Sequence, residues 1–309
     1  MPDMKLTTQQ QEVRFWLEKR RAILLAHNYQ PGEIQDTADY VGDSLELSMK
    51  AAKTDAEVIV FCGVHFMAET AAILCPDKTV LLPRLDVGCC LAESVRLTEL
   101  QARKAELPGV PVVTYVNSTA AVKAESDVCC TSANAIRVVN SLAAPRVLMI
   151  PDQNLAFYVA RHTPKNIEIL TWEGWCNVHD GLSAEEVLAA KAAHPQALLL
   201  AHPECNPEVL DLADAVRSTS GMLKFVQEDA AQEFIIGTEK GIIHRMHKEN
   251  PGKVFYSPSR RLICRPMKRI KLEDVIAALQ ENRHRVTVPE DIRVRALKAV
   301  ERMLAVPRD

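Results

Sequence analysis

One pattern constrains this chain more than any other: a strand–helix unit recurs three times at a spacing of 87 to 88 residues. Three apolar runs, Ile23–His27, Val112–Val116 and Ala197–His202, each read as a buried strand. Each passes into a stretch with helical apolar spacing, Ile34–Val41, Ala120–Ser126 and Val209–Val216, that ends at a small hydroxyl cluster: Asp43-Ser44, Thr131-Ser132 and Ser218-Thr219. A second strand follows in each copy (Val58–Phe61, Arg146–Ile150, Phe234–Ile236), then a helix-like stretch and a third strand (Val80–Leu82, Ile167–Leu170, Val254–Tyr256). Within several residues of every third strand stands a cysteine. These are Cys89, Cys176 and Cys264, 87 and 88 residues apart, as triplication of one unit requires.

The period is longer than a solenoid repeat, and three copies favour a compact pseudo-threefold arrangement over an open stack. The expected fold is therefore α/β: three similar three-layer α/β/α domains with short parallel sheets in pseudo-threefold arrangement around a central cluster. The expected repeats are 1–92, 93–178 and 179–270. The tail, 271–309, carries two more helical patterns, Leu272–Leu279 and Ile292–Leu304, the second opened by Thr287 and Pro289. It is expected to pack on the outside, with the first repeat as its candidate partner. A length of 309 residues suits such subdivision, being too great for one ordinary core.

Hydrophobic residues make up 48% and charged residues 25%, with net charge −3, which gives no electrostatic case for nucleic acid or a membrane surface. Met1 to Arg21 lacks the apolar core of a signal peptide, and no later run approaches the ~18 apolar residues of a spanning helix. A cytoplasmic small-molecule enzyme is the expectation.

Nine cysteines in such a chain argue against a disulfide framework. Cys62 and Cys75 sit in apolar surroundings, Cys129 and Cys130 end a helical stretch, and Cys205 follows His202-Pro203-Glu204; all suit ordinary burial. The register singles out Cys89, Cys176 and Cys264, although Cys90 adjoins Cys89 and only the repeat alignment separates the two. Three thiolates from equivalent loops can hold zinc, but structural zinc sites usually show close CxxC pairs and a fourth ligand. A cuboidal iron–sulfur cluster has four irons, so three cysteines leave one iron open to act as a Lewis acid toward a hydroxyl or carbonyl oxygen. Dehydration or condensation is the chemistry that follows.

In parallel sheets ligands lie beyond the carboxyl ends of the strands, so the polar residues leaving each first strand point to one site. These are His27, Asn28 and Tyr29, then Tyr115 and Asn117, then His202 and Glu204. They supply acid–base groups and donors for a small polar substrate. Ser44, Ser132, Ser218 and Thr219 are ordinarily cap or turn residues, but three hydroxyl loops facing one cavity can hold carboxylate or phosphate oxygens. Arg260, Arg261, Arg265, Lys268 and Arg269 flank Cys264 and are read as a solvated face outside the site.

The motifs Ala26-His27-Asn28-Tyr29-Gln30, Gly42-Asp43-Ser44, Asp86-Val87-Gly88-Cys89, Tyr115-Val116-Asn117-Ser118, Gly174-Trp175-Cys176-Asn177-Val178-His179, His202-Pro203-Glu204 and Ser218-Thr219 resemble, in order, those of the quinolinate synthase family, over nearly the whole chain. The resemblance implies condensation of iminoaspartate with dihydroxyacetone phosphate to quinolinate, with release of phosphate and two waters. It implies one 4Fe-4S cluster on Cys89, Cys176 and Cys264. It also implies substrate contacts from His27, Ser44, Tyr115, Asn117, Ser132, His202, Glu204 and Thr219. Tyr29 and Glu204 are the expected proton-transfer residues, with His179 in support. The implied functional partner is an aspartate oxidase or dehydrogenase that supplies the unstable iminoaspartate. In one departure, Cys264-Arg265-Pro266 sets the proline one residue later than is frequent in the family. Two alternatives stay open: another tri-cysteine cluster enzyme, of the diphthamide-synthesis or diphosphate-reductase type, and a non-catalytic zinc or ligand-binding scaffold.

Overall fold

The computed structural model describes residues 7–164 and 166–308. The first six residues of the polar N-terminal segment, with Lys165 and Asp309, lie outside the described residues. Among the described residues twelve strands form three parallel sheets of four. The first contains β1 (Ala22–His27), β2 (Tyr40–Gly42), β3 (Val58–Cys62) and β4 (Thr79–Leu81). The second contains β5 (Val112–Tyr115), β6 (Val128–Cys130), β7 (Arg146–Ile150) and β8 (Glu168–Thr171), and the third β9 (Leu198–Ala201), β10 (Ala215–Val216), β11 (Glu233–Gly237) and β12 (Val254–Tyr256). Each sheet runs in the order second, first, third, fourth strand. The direction of winding therefore reverses beside β1, β5 and β9, and a crevice opens at the carboxyl ends of those strands.

These segments form strands because they are short, β-branched or leucine-rich, and buried on both faces by crossover helices. All five residues of β3 are buried. In the third sheet Leu199, Ala201 and Ile235 pack into one apolar cluster while Leu200, Phe234 and Ile236 pack into another, as the two-residue period of a strand dictates.

The second strand of every sheet departs from expectation. The helical stretches expected to continue through Val41, Ser126 and Val216 end sooner, as Gly32–Thr37, Ala120–Ala124 and Pro207–Asp211. Val41 and Val216 lie in β2 and β10, while Cys129 and Cys130 belong to β6 and end no helix. At two or three residues these strands are too short to display a period of two; lateral pairing with the first strand defines them. An aspartate fastens each one. Asp39, Asp127 and Asp214 accept from the backbone N–H of Leu24, Val112 and Leu199 at 2.8, 2.7 and 2.7 Å, and each returns its own N–H to the same residue's carbonyl. These aspartates are themselves 88 and 87 residues apart, so the triplication extends to individual hydrogen bonds.

One apolar core runs through the first and second sheets and takes in both C-terminal helices; the third sheet has its own two clusters. The helix Leu272–Glu281 packs against the helix Thr8–Lys19 and β3, while Glu290–Leu304 packs against Ala120–Ala124, β6 and the helix His65–Leu74. Between these helices the chain covers the β4 edge: Leu82 donates to the His284 carbonyl and Val286 to the Val80 carbonyl.

Candidate active site

The three sheets turn their carboxyl ends toward a cavity of about 560 Å³. His27 ends β1, Tyr115 ends β5 and His202 follows β9; two residues later in each copy come Tyr29, Asn117 and Glu204. All six line the cavity. So do Ser44, Ser132 and Thr219, the thiols Cys89, Cys176 and Cys264, and His179. Ser218 plays the ordinary part instead, capping the helix Thr219–Glu228 by accepting from Gly221 N at 3.2 Å.

The copies share their local geometry. His27 Nδ1 accepts from Tyr29 N at 3.2 Å, and His202 Nδ1 accepts from Glu204 N at 3.3 Å. An imidazole whose Nδ1 accepts carries its proton on Nε2, so both rings offer a donor away from the backbone; His202 Nε2 lies 3.1 Å from Ser132 Oγ. Burial lowers both imidazoles to about 3, and both are neutral at physiological pH. Burial works to raise the Glu204 carboxyl, but the hydrogen bonds it accepts from His179 and Tyr115 favour the ionised form and hold it low. Burial and the Glu204 charge push the Tyr29 and Tyr115 phenols well up. The site thus holds an ionised carboxylate among protonated phenols and neutral imidazoles.

Cys89 and Cys264 are fixed by carboxylates that accept from their backbone N–H, Glu93 at 3.3 Å and Glu239 at 3.2 Å. Glu239 is buried and ion-paired with Lys268 at 3.0 Å. Gly174 allows the Cys176 loop to lie flat, since a Cβ there would run into the Pro151 carbonyl and Ser94 Oγ. Cys89, Cys176 and Cys264 are partly exposed, as cavity-wall residues are, whereas Cys62, Cys75, Cys129, Cys130 and Cys205 are buried. Cys90 is exposed and also reaches the cavity. Burial raises the thiols, Cys264 to about 11, so they stay protonated near neutrality until a positive centre displaces the proton.

Among the described residues, the one set of three such donors within 4.8 Å of one another is Cys176, His179 and Glu204. These three already satisfy each other: His179 Nδ1 lies 3.2 Å from Cys176 Sγ and 2.5 Å from Glu204 Oε2. The three cavity thiols form no such tight set. Two thiolates on one tetrahedral zinc would sit about 3.8 Å apart, given Zn–S bonds of about 2.3 Å. Three wall-mounted thiols that share a cavity without converging fit a polynuclear centre better than a single ion.

A family model described as quinolinate synthetase A protein matches residues 11–305. The chain belongs to the quinolinate synthase family. A quinolinate synthase of Geobacter sp. (strain M21) is 54% identical over 306 residues, covering 99% of this chain and 100% of the relative. Those of Geotalea uraniireducens (strain Rf4) and Desulforudis audaxviator (strain MP104C) are 55% and 56% identical, each covering 96% of this chain and 97% of the relative.

Several residues around the site escape a reading of the sequence. The basic group near Cys264 is closer than expected: Arg261, Arg265 and Arg269 line the cavity. Arg261 pairs with Glu186 at 2.8 Å and Arg269 with Asp86 at 3.4 Å, while Lys268 also donates to the Tyr29 carbonyl. Asp43 lines the wall beside Ser44 and is gripped by Arg308. Thr238, fully buried, bridges Tyr29 and His179. Thr238 and Arg308 fall in no sequence pattern; only the fold brings them to the cavity wall.

Proposed function

We propose that this chain condenses iminoaspartate with dihydroxyacetone phosphate to quinolinate, releasing phosphate and two waters. The supporting observation is that three repeats place on the wall of one cavity three thiols together with a neutral-donor and carboxylate set suited to two small anions. Cys89, Cys176 and Cys264 are the residues that would hold a 4Fe-4S cluster. Such a cluster leaves one iron without a protein thiolate, free to polarise a substrate hydroxyl or carbonyl oxygen.

The remaining work falls to the chain's own groups. His27 and His202 present neutral N–H donors that can bind carboxylate oxygens without competing for protons. Ser44 and Thr219 stand at the first residues of the helices Ser44–Lys53 and Thr219–Glu228, whose N-termini favour negative charge, and Ser132 adds a third hydroxyl. Asn28 donates to Thr219 Oγ1 at 3.1 Å and so orients that hydroxyl. Asn117 Oδ1 is buried without a partner on the cavity wall, an acceptor awaiting a donor such as the imine N–H. Glu204, ionised, takes the proton from carbon during isomerisation of the triose; Tyr29, protonated, supplies one to a departing hydroxyl. Tyr115, close enough to hydrogen-bond Glu204, keeps that carboxylate aimed into the cavity.

Iminoaspartate is unstable, so the working partner is an aspartate oxidase or dehydrogenase. Cytoplasmic residence belongs to the same proposal; no helix among the described residues is long and apolar enough to cross a membrane. Counting iron and acid-labile sulfide in anaerobically purified Cys89→Ala and Cys90→Ala variants tests the site. We expect Cys89→Ala to lose the cluster and Cys90→Ala to keep about four irons per chain; stoichiometric zinc in place of iron would favour the scaffold alternative.

A further inference from the structure

Lys123, on the short helix Ala120–Ala124, is fully buried. Taking an ammonium out of water is costly unless it is bonded, so a lysine in this place calls for a partner. Its Nζ turns back to donate to the Ser118 carbonyl and lies 5.4 Å from the centre of the Phe66 ring. Burial lowers the pKa of the ammonium, and the Glu69 carboxylate opposes that shift. Glu69 Oε2 in turn accepts from Ala120 N at 3.1 Å. Phe66 and Glu69 stand a turn apart on the helix His65–Leu74, which follows β3 and packs against Ala120–Ala124. On the other side of the turn Val116 N donates to the Cys130 carbonyl and Ser118 N to the Val116 carbonyl, both at 2.8 Å. The backbone is thus held before and after Asn117, whose side chain lines the cavity with Nδ2 3.5 Å from Glu204 Oε1 and Oδ1 without a partner.

We propose that Lys123, together with Glu69, is a positioning residue that sets the Asn117 carboxamide against the imine end of the substrate. The inference rests on the reaction proposed above, in which Asn117 Oδ1 accepts from the imine N–H. A lysine on a short helix ordinarily keeps its ammonium in water; this one commits it to the backbone carbonyl next to a cavity side chain. Neither Lys123 nor Glu69 lines the cavity, so both act through the turn. Without the ammonium the Ser118 carbonyl loses its partner inside a dry wall, the turn relaxes, and the Asn117 amide leaves its place. The effect is selective, because Asn117 meets the imine end and the triose keeps its own contacts.

The test compares Lys123→Met, which keeps the length of the side chain without its donor, with Asn117→Ala and the double variant, each as anaerobic holoenzyme. We expect Lys123→Met to raise KM for iminoaspartate about 10-fold, with KM for dihydroxyacetone phosphate and kcat within about threefold of wild type and iron and sulfide unchanged. In an Asn117→Ala background, Lys123→Met should add less than about twofold, because it acts through the amide already removed. Glu69→Leu should raise the same KM, and Glu69→Gln, which keeps an acceptor for Ala120 N, should recover it to within about threefold; this pair carries the test if Lys123→Met does not fold. An unchanged KM for iminoaspartate, equal rises for both substrates, a fully additive double variant, no recovery by glutamine, or loss of iron would each overturn the role. Absence of quinolinate from the wild type would overturn the reaction and this role together, whereas wild-type turnover with an unaltered Lys123→Met would overturn the role alone.

Discussion

Replacing Arg308 with alanine unfastens the C-terminal segment from the cavity wall. Arg308 Nη2 lies 2.8 Å from Asp43 Oδ2 and Nη1 2.9 Å from Glu46 Oε1. Those carboxylates form the capping box of the helix Ser44–Lys53, and Glu46 also accepts from Ser220, next to Thr219, at 2.5 Å. The same segment holds the second hydroxyl turn. Asn134 Nδ2 donates to the carbonyls of Met303 and Val306 at 3.1 and 3.3 Å, while its Oδ1 accepts from Thr131 N at 2.8 Å. The side chains of Asp43, Glu46 and Arg308 are 8%, 21% and 39% exposed. Exposed pairs contribute about 0–1 kcal/mol and breaking a buried one costs about 3–5; with the guanidinium more than a third exposed, solvent screening brings the loss to about 1–2 kcal/mol. For a chain of this size that lowers Tm by about 1.5–3 °C.

The sign with pH follows from Asp43. Burial and the Glu46 charge push its carboxyl above the ordinary 3.8, against the pull of Arg308. A carboxyl raised in the folded state binds its proton more tightly there, so stability falls as pH rises through the window above 3.8. Deleting Arg308 deepens that fall. Thermal unfolding of Arg308→Ala should therefore show the larger deficit at pH 8 and a smaller one below pH 3.8, where the Asp43 carboxyl is protonated in both states. KM for the anionic substrates should rise about three- to tenfold as the Ser44 turn loosens. A deficit equal at both pH values, or a wild-type Tm, would refute the clamp.

Two further outcomes are expected. Glu204→Gln keeps the shape but removes the base, and should lower kcat about 10²- to 10⁴-fold with iron content unchanged; steady-state assay beside metal analysis checks it, and retained turnover would remove Glu204 from proton transfer. Asp127→Ala loses the 2.7 Å bond from Val112 N that ties β6 to β5. Its unfolding in urea should show about 0.5–1.5 kcal/mol less stability, and no change would mean that water replaces the carboxylate without loss.

The architecture is legible in the sequence because the repeat recurs in hydrophobic runs long enough to declare themselves. β1, β3, β5, β7, β9 and β11 are four to six residues each, and their apolar content marks them without help. β2, β6 and β10 are not legible, since two or three residues carry no period and Val41 or Val216 extends a helical pattern equally well. The cavity residues at strand ends can be read off the register, because a sheet's winding sends each copy's first polar residues to the same end. Thr238 and Arg308 follow no register: a threonine after an apolar strand and an arginine near the C-terminus acquire meaning only when three sheets and a tail are brought together. The arginines around Cys264 illustrate the converse, a charge run that reads as solvated surface yet lines the cavity at Arg261, Arg265 and Arg269.

The most direct test of the proposed condensation is an anaerobic assay for quinolinate, supplying dihydroxyacetone phosphate and enzymatically generated iminoaspartate, with iron and sulfide counted on the same sample. Quinolinate and phosphate should form in equal amounts from protein carrying about four irons per chain, and neither product from Cys176→Ala. Iron-loaded wild type that forms no quinolinate, or a Cys176→Ala variant that still does, would contradict it.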